Sequence, residues 1–193
     1  MDKDFNYVEQ DIIDYILKEK PDFVIQGNNT ASFNGGGVAN VIYSTWEGCM
    51  EMADNLLTEQ LRRGFGLVRE FNKPSVNLLG SAAIIPLSSF TKNVSLFTQV
   101  EAGSNFKLFA FQNALFKFLY SEKQHIISQP YDKKFVLPRI GCGIGLPKDI
   151  APDLMWQSFV QPITKEMFKH FNIPLSNVTI IGLPGDNKKY GDT

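Results

Sequence analysis

The sequence predicts an α/β fold with a mixed, largely central sheet covered by helices on both faces. Short apolar runs that read as buried strands, Phe23-Val24-Ile25, Phe135-Val136-Leu137 and Val178 to Leu183, alternate with stretches of helical period. Glycines gather in two loops that follow such strands, Gly35-Gly36-Gly37 and the alternating set Gly141, Gly143 and Gly145, which together hold six of the fifteen glycines. A chain of 193 residues buries roughly 70% of its unfolded surface without disulfides or metal. Residues 1–185 are expected to form one domain, with a loose tail at 186–193.

Taken in order, Phe5-Asn6-Tyr7-Val8-Glu9 alternates like a half-exposed strand, and Gln10-Asp11-Ile12 opens a short helix to about Lys18. Pro21-Asp22 resets the chain for the buried strand from about Phe23 to Gly27. After the first glycine loop, Val38 to Trp46 and Glu47 to Arg63 read as two helices broken near Gly48. In the second, Met52, Leu56 and Leu57 are expected to form the apolar face, Glu51, Asp54 and Glu59 to stay in water, and Gly64 to close the helix. Val76 to Leu87 and Val94 to Val100 are strand-like runs. Apolar residues at 108, 109, 111, 115, 116 and 119 give Phe106 to Tyr120 a helical period. Ser121 to Lys134, with His125 and Pro130, has little periodicity and reads as a long loop. Ala151 to Phe171 is helical, with Pro162 kinking it or starting a second helix.

Composition narrows the function classes. Nineteen basic residues against twenty acidic ones leave no cationic excess, so strong nucleic-acid binding is not expected. Cys49 and Cys142 are too few for a disulfide framework and lack zinc-type spacing, so no metal is predicted. The charged start Met1-Asp2-Lys3-Asp4 has no signal-peptide core behind it, and no apolar run is long enough for a bilayer. The expectation is a cytoplasmic protein without a membrane partner; the oligomeric state is left open.

The chemistry is concentrated in the glycine loops. Gly35 to Gly37 follow a buried strand and lead into Val38, Val41 and Ile42, the first turns of a helix. Backbone N–H groups bared by glycines at a helix start suit a phosphate; the alternative is a flexible linker. Gly141 to Gly145 lie just beyond another buried strand, where open α/β sheets bind ligands. Neither loop has the Gly-Lys-Ser/Thr of a P-loop or the dinucleotide fingerprint. Two such loops are placed to grip one phosphate-bearing ligand from opposite sides.

Asp11-Ile12, then Asn29 followed by Gly35-Gly36-Gly37-Val38-Ala39, then Pro138-Arg139-Ile140-Gly141-Cys142-Gly143-Ile144-Gly145, resembles in that order the macro domain family. The resemblance spans about Phe5 to Leu183. It implies a three-layer α/β/α sandwich and a cleft for ADP-ribose or an ADP-ribosylated molecule, with no cofactor. It further implies that Asp11 accepts from the adenine amino group with Ile12 beside the base, and that Asn29 holds the distal ribose. Gly35, Gly36, Gly37 and Val38 would surround that ribose and a phosphate, and Gly141, Cys142, Gly143, Ile144 and Gly145 would form the second diphosphate loop.

The residues permit simpler roles as well. Asp11 also suits the N-cap of the helix beginning at Ile12, and Asn28 and Asn29 also suit a turn. Cys142 reads as a packed residue, His125 and His170 as surface residues, and Arg139 as a support for the second loop or a phosphate contact.

Relative to the family, Gln99 stands where some members carry a reactive lysine, Gly145 where they carry an acid, and Ala39 where others carry an Asp. Asn34 precedes the triple glycine, where some phosphatase-like members have a histidine. The expected function is hydrolysis of a distal-ribose derivative of ADP-ribose, of the ADP-ribose 1''-phosphate phosphatase or de-ADP-ribosylase type, with Asn29 and Asn34 as the catalytic candidates. The alternative is a module that reads or sequesters ADP-ribose without chemistry.

Overall fold

Along β2 (Phe23–Asn29) successive side chains go to opposite faces of the sheet and enter two separate cores. Phe23 and Ile25 join one, Val24 the other. The same division recurs in β5 (Phe135–Pro138), where Phe135 and Leu137 part from Val136, and in β6 (Val178–Gly182), where Val178 and Ile180 part from Ile181. Strands that bury both faces need helices on both, and this requirement generates three layers.

The computed structural model describes residues 4–31, 37–71, 73–128 and 132–182. Asn34, Gly35, Gly36, Pro130, Leu183 and the expected tail at 186–193 lie outside these described residues. Among the described residues six strands form one sheet in the order β1-β6-β5-β2-β4-β3, with β1 (Asn6–Glu9), β3 (Ala82–Pro86) and β4 (Lys92–Gln99) completing it. All neighbours are parallel except β3 and β4. One face carries α1 (Ile12–Glu19), α2 (Gly37–Thr45) and α3 (Cys49–Phe65). The other carries α4 (Leu108–Ser121), α5 (Lys123–Ser128), α6 (Pro152–Met155) and α7 (Gln161–His170).

The core that holds Phe23 is rich in aromatic rings. The Phe23 ring lies 5.1 Å from Phe118 edge-on and 5.2 Å from Phe135, and Phe135 lies 5.1 Å from Phe168. Such pairs add roughly 0.5–1.5 kcal/mol each beyond the area they bury. Between α6 and α7 the chain makes a π-turn at Trp156–Val160, in which the Gln161 N–H reaches back to Trp156 O. Pro162, which lacks an N–H, follows in the first turn of α7. The widened turn accommodates a proline that an unbroken α-helix would not.

Several expectations need correction. The buried face of α3 is Cys49, Ala53, Leu57 and Leu61, a four-residue repeat, while Met52 and Leu56 flank it half-exposed. Asp54 is buried rather than in water, because Arg69 arrives from the following loop to pair with it at 2.5 Å. Gly66, at φ 66°, closes α3, and Gly64 sits in its last turn. The run from Val76 breaks at Gly80, at φ 76°, so a short 3₁₀ turn at Val76–Leu78 precedes β3. The expected loop after Ser121 contains α5, whose buried anchor Ile126 was too isolated to give a periodic signal.

Candidate functional site

Because β1, β6, β5, β2 and β4 are parallel, their carboxyl ends share one rim. Gln10 and Asp11 leave β1 there, Gly182 ends β6, Pro138 to Gly145 leave β5, and Asn29 and Gln99 end β2 and β4. Two cavities occupy this rim. One, of about 320 Å³, is lined by Asp11, Ile12, Asn40, Val41 and Ile181 among others. The other, of about 230 Å³, is lined by Thr98, Gln99, Arg139, Gly141, Gly143, Ile144 and Gly145 among others. Gly37, Val38 and Pro138 line both, so the two form one elongated cleft.

The described parts of the two glycine loops meet across it. Gly37, at φ +70°, opens α2, and a Cβ there would lie 3.8 Å from Ile144 Cδ1 of the second loop. The second loop is closely packed behind its rim. Gly141 has φ +82°, and a Cβ on it would stand 2.9 Å from the Phe106 ring. A Cβ on Gly145 would collide with the Gln99 carboxamide, whose Nε2 donates to the Ser104 carbonyl. The Phe106 N–H donates to Gly145 O at 2.7 Å, tying this loop to the segment after β4. Gly143 differs: a Cβ there meets nothing within 4 Å.

Cys142 is turned away from the cleft lining, its thiol 3.3 Å from the Pro152 carbonyl. Burial pushes that thiol up to about 11, so it stays protonated at neutral pH and is a poor nucleophile. Arg139 lines the cleft and lies 3.4 Å from Asp153 of α6.

Asp11 is the N-cap of α1: its Oδ1 accepts from the N–H groups of Ile13 at 2.8 Å and Asp14 at 3.2 Å. It is exposed and lines the larger cavity, so the capping role and the ligand-facing position coexist. Asn29 is buried at the end of β2, its Oδ1 accepting from the Ala31 N–H at 3.0 Å in a local turn. It stands opposite Gln99 in the ladder, next to a residue that lines the smaller cavity, and is not itself among the described lining residues. Asn28 Nδ2 donates to the Tyr43 hydroxyl at 2.8 Å, and Tyr43 meets Ser95 Oγ at 2.8 Å, which fastens α2 to the sheet below the first loop. Burial holds the Tyr43 phenol far above its ordinary value, so it remains a neutral hydrogen-bonding group.

Thr98, Phe106 and Ile140 were not singled out from the sequence as site residues, yet they line the cleft. Gly27 offered a signal for Ile140: a glycine inside a buried strand marks a close approach, and a Cβ there would lie 2.9 Å from Ile140 Cγ2. Among the described residues no group of His, Cys, Asp and Glu could hold a metal, and no helix is long and apolar enough to cross a membrane.

The structure is similar to the macrodomain of Mycobacterium tuberculosis DarG, with a TM-score of 0.61 over 92% of this chain and 96% of that one. It is similar to Thermosipho africanus DarTG in complex with ADP-ribose, with a TM-score of 0.61 over 95% of this chain and 42% of that one. The Oceanobacillus iheyensis macrodomain with ADP gives a TM-score of 0.53 over 93% of this chain and 83% of that one. The fold is that of a macrodomain. Sequence identity to these three is 13%, 16% and 13%, so the likeness is one of backbone architecture. Compared by sequence, the chain matches no family model and no curated protein. On this macrodomain fold, Gln99 and Gly145 stand in direct apposition on the cleft wall, and Ala39 lines the same cavity from α2.

Proposed function

We propose that the cleft binds ADP-ribose, free or attached to a larger molecule. The observation that carries this reading is the continuity of the two cavities through Gly37, Val38 and Pro138, with glycine loops facing one another at the junction. Adenine lies in the larger cavity against Ile12 and Val41, and the Asp11 carboxylate accepts from its amino group. The diphosphate lies between the N-terminus of α2 and the second loop. Amide N–H groups and the positive end of the helix neutralise it there with little cationic side-chain chemistry. The distal ribose extends toward Gln99 and Asn29. The solved neighbours holding ADP-ribose and ADP support the choice of ligand.

The reading takes two forms, binding alone and binding with chemistry at the distal ribose. The described residues lining the smaller cavity include no carboxylate, imidazole or amine to act as a general base. The place of Asn29 at the end of β2 favours a second reading, hydrolysis at the distal ribose with Asn29 orienting substrate or water. Calorimetric titration with ADP-ribose, ADP and AMP tests the first: affinity rises from AMP to ADP-ribose if each compartment is used, and equal or absent binding refutes it. Phosphate release from ADP-ribose 1''-phosphate, compared between the parent and Asn29→Ala, decides the second. A parent rate no higher than that of the variant leaves binding alone.

A further inference from the structure

Asn29 ends β2 at an irregularity. Asn28 stands opposite Phe97 of β4, but Asn29 stands opposite Gln99, so Thr98 is passed over and the register shifts. A bulge re-aims the side chains beside it and removes the regular ladder that would otherwise fix them. Beyond its bond to β4, this turn is held by groups from outside the sheet. Asn29 Oδ1 accepts from the Ala31 N–H at 3.0 Å. That N–H belongs to the same peptide unit as the Thr30 carbonyl, which accepts from Arg69 Nη2 at 2.8 Å. A peptide unit is a rigid plane, so gripping its carbonyl sets the direction of its N–H. The N–H in turn orients the carboxamide, because only the amide oxygen accepts a hydrogen bond.

Arg69 is itself immobilised. Its side chain is 1% exposed, with Nη1 2.5 Å from Asp54 Oδ1 and 3.4 Å from Thr58 Oγ1 of α3. Its Nε donates to the Lys73 carbonyl at 3.0 Å. Thr30 is also held by its N–H to Gln99 O at 2.9 Å, its hydroxyl to Val100 O at 2.6 Å, and the Ser75 N–H at 3.0 Å.

We infer that Arg69 is a positioning residue: acting through the Thr30–Ala31 peptide, it orients the Asn29 carboxamide for the distal sugar of bound ADP-ribose. The inference rests on the reading of the cleft given above. A guanidinium reaches three chain segments at once through its fixed fork of donors, whereas a lysine ammonium is a compact point charge. A buried ion pair gains little stability over an apolar pair of the same volume, so the value of this one lies in where it holds a carbonyl.

The test is Arg69→Lys in the full chain, which keeps a cation for Asp54 but not the reach to Thr30. Should that variant fail to fold, Arg69→Met with Asp54→Leu removes both charges together and the clamp with them. Affinity for ADP-ribose is expected to fall roughly tenfold while affinity for ADP, which lacks the distal sugar, changes less than about twofold. In a ¹⁵N spectrum the Asn29 side-chain amide pair, identified by its absence in Asn29→Asp, should move or broaden in the variant. A parallel loss for both ligands, or an unmoved amide pair in a folded variant, overturns the inference. A parent that binds ADP-ribose no better than ADP instead refutes the assignment of the cleft, and the amide spectrum still decides the role of Arg69.

Discussion

At one end of the cleft Asp11 is exposed and is held by two hydrogen bonds within three residues of sequence. At the other, Asn29 is buried, and the turn that orients it is gripped by Arg69, 39 residues beyond Thr30. The first end is shaped by a helix cap that forms with the helix itself. The second is assembled only when α3, the loop after it and the sheet have come together. If the cleft is used as proposed, recognition and stability are separable at Asp11 and coupled around Asn29.

The largest effect is expected from breaking the coupled end. Asp54→Leu leaves the Arg69 cation buried and unpaired, and should destabilise the protein by about 3–5 kcal/mol in urea unfolding. A loss below about 1 kcal/mol would mean that the pair is not buried in solution. Between the ends, Gly141→Ala forces a side chain into a positive-φ position against the Phe106 ring. That change should cost about 2 kcal/mol and shift the second loop, read as a lower midpoint and weaker ADP-ribose binding. The separable end gives a smaller effect. Asp11→Ala should lose about 1 kcal/mol with the cap, and Asp11→Ser should recover it. If the carboxylate also meets the base, Asp11→Ser stays stable but loses affinity for ADP-ribose; unchanged affinity assigns Asp11 to capping alone.

Much of this architecture was legible in the sequence. Buried strands announced themselves as apolar runs, α4 by its period, and the glycine loops by their position after strands. The residues that escaped notice are those whose meaning depends on a distant partner. Asp54 looks like a solvent-facing acid until Arg69 is placed beside it. Phe106 looks like the start of a helix until Gly141 settles on its ring. Helical period reads the spacing of apolar side chains, so it could not select Cys49 and Ala53 over the larger Met52 and Leu56 as the buried face of α3. For Asp11 the sequence held two roles open, and the structure gives it the cap while leaving it on the cleft wall.

The smallest effect at neutral pH lies where α2 and the start of α3 share one core. Burial pushes the Cys49 thiol up to about 12 and raises the Tyr43 phenol as well. Both groups hold their protons more tightly folded than unfolded. The stability they carry is complete below the ordinary thiol value of 9.0 and is lost as pH climbs toward 12. Unfolding midpoints should be flat from pH 7 to about 9 and fall above it, more gently in Cys49→Ala. A parent and variant with identical alkaline limbs would show that Cys49 is solvated.

The central claim, that two glycine loops distant in sequence close on one diphosphate, is tested most directly by calorimetric titration of Gly143→Val with ADP-ribose. A Cβ at Gly143 meets no neighbour within 4 Å, so the variant should fold with an unchanged melting midpoint while its side chain enters the space for the phosphates. The account predicts saturable one-to-one binding by the parent and no measurable binding by this variant. Equal affinity in the two proteins, with both folded, would contradict it.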